Sequence, residues 1–171
     1  MICPLCGYTR NLPGADWCVW CLFDLAAIDR PTAHDRVEHS LMTEPVSALG
    51  PREPVTVPAD ADLGKAVREM IARQVGAVLV TDPAGRLVGI LTERDFLTKV
   101  AGTNGFDSRP VAAFMTRHPE TVTADDPLAF ALGKMAGGGY RHLPVVAGGK
   151  PVGVVSVRDI LRHVVRICRD V

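Results

Sequence analysis

The chain has 171 residues, of which 47% are hydrophobic and 22% charged, with a formal net charge of +0 at pH 7. That is the make-up of a folded chain with room for one ordinary domain or a duplicated small one. Neutral charge and only 5% aromatic residues argue against nucleic acid or an acidic membrane surface as a partner.

No apolar run approaches the roughly 20 residues of a membrane span, and the opening MICPLCGYTR lacks the apolar core of a signal peptide. A cytoplasmic location is expected. Four of the five cysteines fall at Cys3, Cys6, Cys18 and Cys21. Two C-x-x-C pairs in a reducing compartment argue for a metal rather than disulfides. Each pair sets two thiolates on one side of a tight turn, with Gly7 relieving the first. The spacing between pairs is short, but residues 1–30 read as a miniature zinc-ribbon-like module with four cysteine ligands. Four thiolates make a closed, structural site, and zinc is expected over iron. Trp17, Trp20, Leu22 and Phe23 are expected to cover the module or dock it on a neighbour.

Residues 31–54 read as a linker and an approach helix. Thr32 is placed to cap a helix over 33–42 that carries His34, Glu38 and His39. The spacing H-x-x-x-E-H does not fit the inverted zinc-protease motif, so a solvated face is expected. Pro45, Pro51, Pro54 and Pro58 make the following stretch an extended loop.

An internal repeat follows. Thr56-Val57 and Ala59-Asp60 return as Thr121-Val122 and Ala124-Asp125. Leu63, Ala66, Val67, Met70 and Ile71 return as Leu128, Ala131, Leu132, Met135 and Ala136, one stripe of an amphipathic helix each time. Strand-like runs at 77–81 and 143–146 end in turns at 82–85 and 148–149. Second strands run over 87–91 and 151–155, and closing helices start at Thr92 and Ser156. Leu41-Met42-Thr43 and Phe114-Met115-Thr116 stand as matching lead-ins. Each copy therefore reads β-α-β-β-α, in an α+β (α/β-like) fold. One copy alone is too small for a satisfactory core, and two packed sheet to sheet supply it.

At each second strand-to-helix junction stand a hydroxyl and a carboxylate three residues apart, Thr92 with Asp95 and Ser156 with Asp159. A hydroxyl there lies beside free helix N–H groups where anions bind, and a carboxylate one turn on can accept two hydrogen bonds from a diol. The same S/T-x-x-D spacing is also a capping arrangement. Both readings stand at the level of sequence.

The order of lead-in, T-V, amphipathic helix, G-A-V-L-V or H-L-P-V-V, then V-G-I-L-T-E-R-D or V-G-V-V-S-V-R-D, resembles a tandem pair of cystathionine β-synthase (CBS) domains, a Bateman module. The resemblance runs from about residue 41 to 166, with repeat one at 41–106 and repeat two at 107–171. It implies two pseudo-symmetric repeats whose clefts hold adenosine-containing ligands, AMP, ADP, ATP or S-adenosylmethionine. Asp95 and Asp159 would take the ribose hydroxyls, and Thr92 and Ser156 would face phosphate. Arg94, Arg158, Arg141 and His142 would be cationic contacts. Thr56, Val57, Thr121 and Val122 would lend backbone groups and an apolar wall to the adenine, as would Val78 and Val145, with Ala77 and Pro144 also among the ligand-binding residues. Copy one has Gly76-Ala77-Val78-Leu79 where copy two has Arg141-His142-Leu143-Pro144, so the clefts should differ.

Gly137-Gly138-Gly139 lacks the G-K-[ST] continuation of a phosphate loop. Cys168 continues the stripe Ile160, Leu161, Val164, Val165 and is expected to be buried. No catalytic constellation stands out, so a regulatory ligand-binding protein and not an enzyme is expected, as a homodimer of the kind the resemblance implies. The competing expectation is an interaction adaptor whose ribbon docks on a protein partner and whose clefts are vestigial. A nucleic-acid role for residues 1–30 is weakened by two basic residues against three acidic ones, Arg10 and Arg30 against Asp16, Asp24 and Asp29.

Overall fold

A computed structural model describes residues 2, 3, 5–12, 15–25, 33, 35–100, 102 and 104–169. The chain divides into two compact units, Met1–His34 and Asp35–Val171.

The first unit is two knuckle turns. Cys3 N–H bonds the Tyr8 carbonyl and Gly7 N–H the Cys3 carbonyl, both at 2.9 Å. The second knuckle repeats this, with Cys18 N–H on Phe23 and Leu22 N–H on Cys18, again at 2.9 Å. Gly7 and Leu22 take the same left-handed position, φ 71° and 57°. Glycine adopts that position freely, and leucine is strained there. Buried Asn11 ties the knuckles together, donating to the Tyr8 carbonyl and accepting from Val19 N–H. The small core is Cys3, Cys18 and Leu25, with Tyr8 and Phe23 against it. Trp17 and Trp20, expected as cover, are 58% and 76% exposed, and Trp20 stacks on Tyr8 instead.

The second unit opens with helix α1 (Arg36–Thr43). Its cap is the Asp35 carboxylate, which accepts Glu38 N–H at 2.8 Å. The expected cap Thr32, and His34, lie outside the described residues. The expected loop after it holds a 3-10 turn, Val46–Leu49, with Val46 fully buried.

The repeats follow. Copy one is β1 (Thr56–Pro58), α2 (Leu63–Ala72), β2 (Ala77–Thr81), β3 (Leu87–Thr92) and a short α3 (Glu93–Asp95), which runs on as a π-helical turn, Phe96–Val100. A short β4 (Thr116–Arg117) leads into copy two. Copy two is α4 (Leu128–Gly138), β5 (His142–Ala147), β6 (Lys150–Ser156) and α5 (Val157–Arg169). The expected first strand of copy two shrinks to one parallel bridge, Val122 with Val145. Both hairpins carry a bulge at the same place, between Val80 and Thr81 and between Val145 and Val146. In each helical stripe the first, second and fourth positions are buried, while the fifth, Ile71 or Ala136, is exposed.

The sheets are β1-β2-β3-β4 and β5-β6. They meet through Ala77, Leu79 and Ile90 on one side and Val154 on the other. The lead-ins are exchanged between the copies. Val46, Leu41 and Leu49, before copy one, pack with Val122, Leu128, Leu143 and Val155 of copy two. Val111, Phe114 and Met115, before copy two, pack with Val57, Leu63, Val78 and Leu91 of copy one. Backbone bonds follow the same rule. Neither repeat helix has a side-chain cap, and the first N–H of each, Leu63 or Leu128, goes to the carbonyl of Arg109 or Glu44. The equivalent lead-ins are therefore residues 45–49 and 110–114, both 3-10 turns behind a proline. The Leu41-Met42-Thr43 match is corrected, because those residues end α1.

On α5 the buried residues are Ile160 and His163. Leu161 and Val165 are 58% and 47% exposed, and Cys168 is exposed too, against the expectation of burial. Residues 161, 165 and 168 are spaced i, i+4, i+7 and form one outward stripe.

Candidate functional site

A cleft of about 730 Å³ lies where the two β-to-α junctions of the pseudo-symmetric copies face each other. It takes in Thr92, Arg94 and Asp95 from copy one and Ser156, Arg158 and Asp159 from copy two. Ala77, Arg141 and His142 also line it.

The remaining sequence candidates lie off it, for reasons of strand geometry. Side chains alternate across a strand. Val57 and Val78 therefore point into the core of copy one, and Val122 and Val145 into that of copy two. Pro144 is buried, and its carbonyl accepts Val122 N–H. Thr56 is exposed on β1, and the Thr121 carbonyl accepts Lys134 Nζ at 2.9 Å.

The hydroxyl–carboxylate pairs are built as caps. Asp95 Oδ2 accepts from Thr92 N–H at 2.9 Å and from Thr92 Oγ1 at 2.7 Å. Asp159 Oδ2 accepts from Ser156 N–H at 2.8 Å and from Ser156 Oγ at 2.6 Å. Both hydroxyl protons thus serve the carboxylates. Burial pushes the Asp95 carboxyl up, but hydrogen bonds from Lys99 and Thr92 outweigh it and hold the group below the usual carboxylate range. Asp159 Oδ1 meets Arg162 at 3.2 Å. The two pairs are therefore caps, and their carboxylates border one cleft.

Five guanidinium groups line the cleft, Arg52, Arg94, Arg117, Arg141 and Arg158. Among the described residues none of the five forms an ion pair with a carboxylate. Arg94 reaches across to the Gly139 carbonyl at 3.0 Å and Arg117 to Ala112 at 3.3 Å. Of the five acids there, Asp95, Asp159 and Glu120 are paired with Lys99, Arg162 and Lys134, which leaves Glu53 and Glu93. The balance of unpaired charge is positive and suits an anion.

His142 crosses the pseudo-axis. A Cβ on Gly76 would lie 3.2 Å from the imidazole Cε1 and Nε2 and 3.4 Å from Glu93 Cδ, so any larger residue there would make the ring shift by a few tenths of an ångström. Burial pushes the His142 pKa below its ordinary value against the pull of Glu93. Arg52 and Arg117 were missed by sequence reasoning. They are equivalent, each on the strand edge of the opposite copy, Arg52 at Val154 and Arg117 at Gly89. The repeat offset of the T-V pairs carries one onto the other and is the signal that would have found them.

In the first unit the sulfurs of Cys3, Cys6, Cys18 and Cys21 lie within 4.8 Å of one another. Cys3–Cys21 is 3.6 Å and Cys6–Cys18 is 3.7 Å. A tetrahedron with metal–sulfur bonds of about 2.3 Å has edges of about 3.8 Å, so the cluster could hold a metal ion. Burial pushes the Cys18 thiol up, but N–H groups of Cys21 and Trp20 outweigh it and bring it to about 6. The Phe23 N–H pulls Cys21 down, yet burial and the neighbouring thiols push it to about 12.

A buried Ser–His contact lies elsewhere, Ser40 Oγ to His163 Nε2 at 2.7 Å, with Glu44 Oε2 at 3.6 Å from the same nitrogen. A nucleophilic triad needs the far imidazole nitrogen to donate to a carboxylate. Here Arg166, a donor only, faces Nδ1 at 2.9 Å, so Nδ1 accepts and Nε2 carries the proton. Ser40 accepts that proton's hydrogen bond and is not activated.

The CBS domain model matches residues 39–102 and 111–166, and the chain belongs to that family. A 17.7 kDa protein of Acidianus ambivalens is 37% identical over 122 residues, 71% of this chain and 73% of its own length. The CBS-domain containing protein ATU1752 of Agrobacterium tumefaciens superposes with a TM-score of 0.64 at 33% identity, over 71% of this chain and 93% of that one. The CBS domain pair of protein MJ0100 superposes at 0.64 with 25% identity, over 71% and 95%, and its structure holds 5'-methylthioadenosine and S-adenosyl-L-methionine. Against the much longer CBSCBSPB5 of Arabidopsis thaliana, the matched part is 20% of that protein's length. Among the described residues no helix is long and apolar enough to cross a membrane.

Proposed function

We propose that the chain is a regulatory ligand sensor, not an enzyme, which binds an adenosine-containing molecule such as AMP, ADP, ATP or S-adenosylmethionine in the cleft between its CBS repeats. The observation that carries this is the pairing of ribose-type acceptors, Asp95 and Asp159, with five guanidinium groups that form no ion pair among the described residues, in one cleft. A carboxylate suits a cis-diol and arginine suits phosphate or carboxylate. The adenosyl ligands of the MJ0100 pair support the class. The test is a thermal-shift and calorimetric panel of those four compounds. Ligand at 100 times its Kd stabilises by about 2.7 kcal/mol. No shift and no heat with any of them refutes the reading.

The four-cysteine unit is proposed to hold one structural zinc ion, and the outward stripe Leu161, Val165, Cys168 supports assembly as a homodimer. Metal analysis should find one zinc per chain, lost in Cys18→Ser. Four thiols that titrate freely in the native protein would contradict it. The adaptor reading is favoured by exposed Trp17, Val19, Trp20 and Leu22 on that unit. Indifference to all four ligands, with partner capture through residues 1–30, would select it.

A further inference from the structure

Asp95 and Asp159 hold the same place in the two copies, yet their carboxylates are not equally open. In both, Oδ2 is filled by the backbone N–H and hydroxyl of the capping residue. The difference lies on Oδ1. At Asp95 the Lys99 ammonium stands at 2.6 Å and the Thr116 hydroxyl at 3.2 Å. Four donors then meet a group with about four lone-pair positions. At Asp159, among the described residues, Oδ1 has one partner, Arg162, whose side chain is 57% exposed.

Lys99 is firmly seated. Its three N–H donors are matched by Asp95 Oδ1, the Phe114 carbonyl at 3.0 Å and Thr116 Oγ1 at 3.4 Å. Of the last two acceptors, Phe114 belongs to the exchanged lead-in and Thr116 to β4 just after it, so the ammonium is held from two sides. The equivalent residue in copy two is His163, again four after the aspartate. It turns away to Ser40 in the buried contact between α1 and α5, so that position supplies no cation to Asp159.

We infer that Lys99 fills the ribose-acceptor position of copy one with the chain's own cation, so that the cleft takes one adenosyl ligand, its ribose on Asp159. This rests on the adenosyl reading above. A diol at Asp95 must displace the charge-assisted bond of Lys99, a side chain 40% exposed but tied by two further acceptors, from a carboxylate 10% exposed. At Asp159, 17% exposed, it competes among the described residues with Arg162, which is 57% exposed and has no second acceptor there, an exchange of little cost. Lys99 is thus a specificity-determining residue that sets the stoichiometry.

The experiment is calorimetric titration of the full chain with AMP and, separately, S-adenosylmethionine. Wild type should bind about one ligand per chain. Asp159→Asn should lose at least about tenfold in affinity. Lys99→Met should gain a second binding event, and the double variant should keep one event, now at Asp95. Lys99→Gln serves as the second route to an open Asp95, and melting curves establish that each variant is folded. Two ligands per wild-type chain, or a folded double variant that binds nothing, overturns the inference and leaves adenosyl binding standing. No binding of either ligand by wild type overturns the adenosyl reading, and the inference falls with it.

Discussion

Replacing Gly153 by alanine should loosen the exchange of lead-ins and weaken the cleft together. A Cβ at Gly153 would stand 2.8 Å from Cβ of Pro51, a ring atom on backbone that cannot rotate aside. Ordinary carbon contacts lie at about 3.5–4.0 Å, so the Pro51–Arg52 segment must retreat by roughly 1 Å. It is held there by a reciprocal pair of backbone bonds, Arg52 N–H to Val154 O at 3.2 Å and Val154 N–H to Arg52 O at 3.0 Å. Overpacking costs about 1–3 kcal/mol, and weakening the pair adds about 1, for a total of about 2–4 kcal/mol. With a urea m-value of about 2 kcal/mol per molar, the unfolding midpoint should fall by about 1–2 M. Arg52 lines the cleft, so ligand affinity should fall as well. Gly89, the matching glycine of copy one, is the control. A Cβ there meets the Met115 thioether, a flexible side chain that can turn away, and Gly89→Ala should cost less than about 1.5 kcal/mol. An unchanged midpoint for Gly153→Ala, or a larger loss for Gly89→Ala, refutes the reasoning.

Leu22→Gly should stabilise the first unit by about 1 kcal/mol, because it relieves a left-handed leucine that is 74% exposed. Competition with a chelating dye should show slower metal loss. Asp95 is held below its unfolded value, so its contribution to stability is complete above about pH 4 and lost as pH falls through the lower folded value. Asp95→Asn should flatten that acid limb in urea titrations between pH 2 and 6. His142 is also pushed down, so its neutral form supports the fold above about pH 6.5, and stability falls as pH drops from there towards the folded value. NMR should place its titration below that of an exposed histidine, and His142→Gln should narrow the stability gap between pH 5 and 8.

The strands of each hairpin were legible because short β-branched runs bounded by Gly-rich turns have few other readings. The repeat helices were legible from their stripe, though Ile71 and Ala136 show that the buried arc is narrower than the apolar one. The cleft residues nearest the T-x-x-D and S-x-x-D motifs followed from the duplication. What stayed hidden depends on partners distant in sequence. Val57, Val78 and Val122 are expected to offer an apolar wall as well as backbone groups, but strand alternation turns their side chains inward. The Lys99 tether is an i, i+4 pair with Asp95 visible in the sequence, yet its force comes from Phe114 at the end of the lead-in and Thr116 on β4. On α5 two apolar stripes compete, and the sequence does not say which one faces inward. His163, polar on paper, takes the buried place because Ser40 meets it.

Val46 fills the second repeat and Val111 fills the first, each closing a core that its neighbours in sequence leave open. Neither repeat, cut out between its apparent boundaries, contains its own plug. A chain with a single repeat and its own preceding turn could complete itself only by trading that turn with a second copy. The interlock therefore makes closed cores a property of the tandem pair, and a halfway cut leaves each fragment holding the plug of the other.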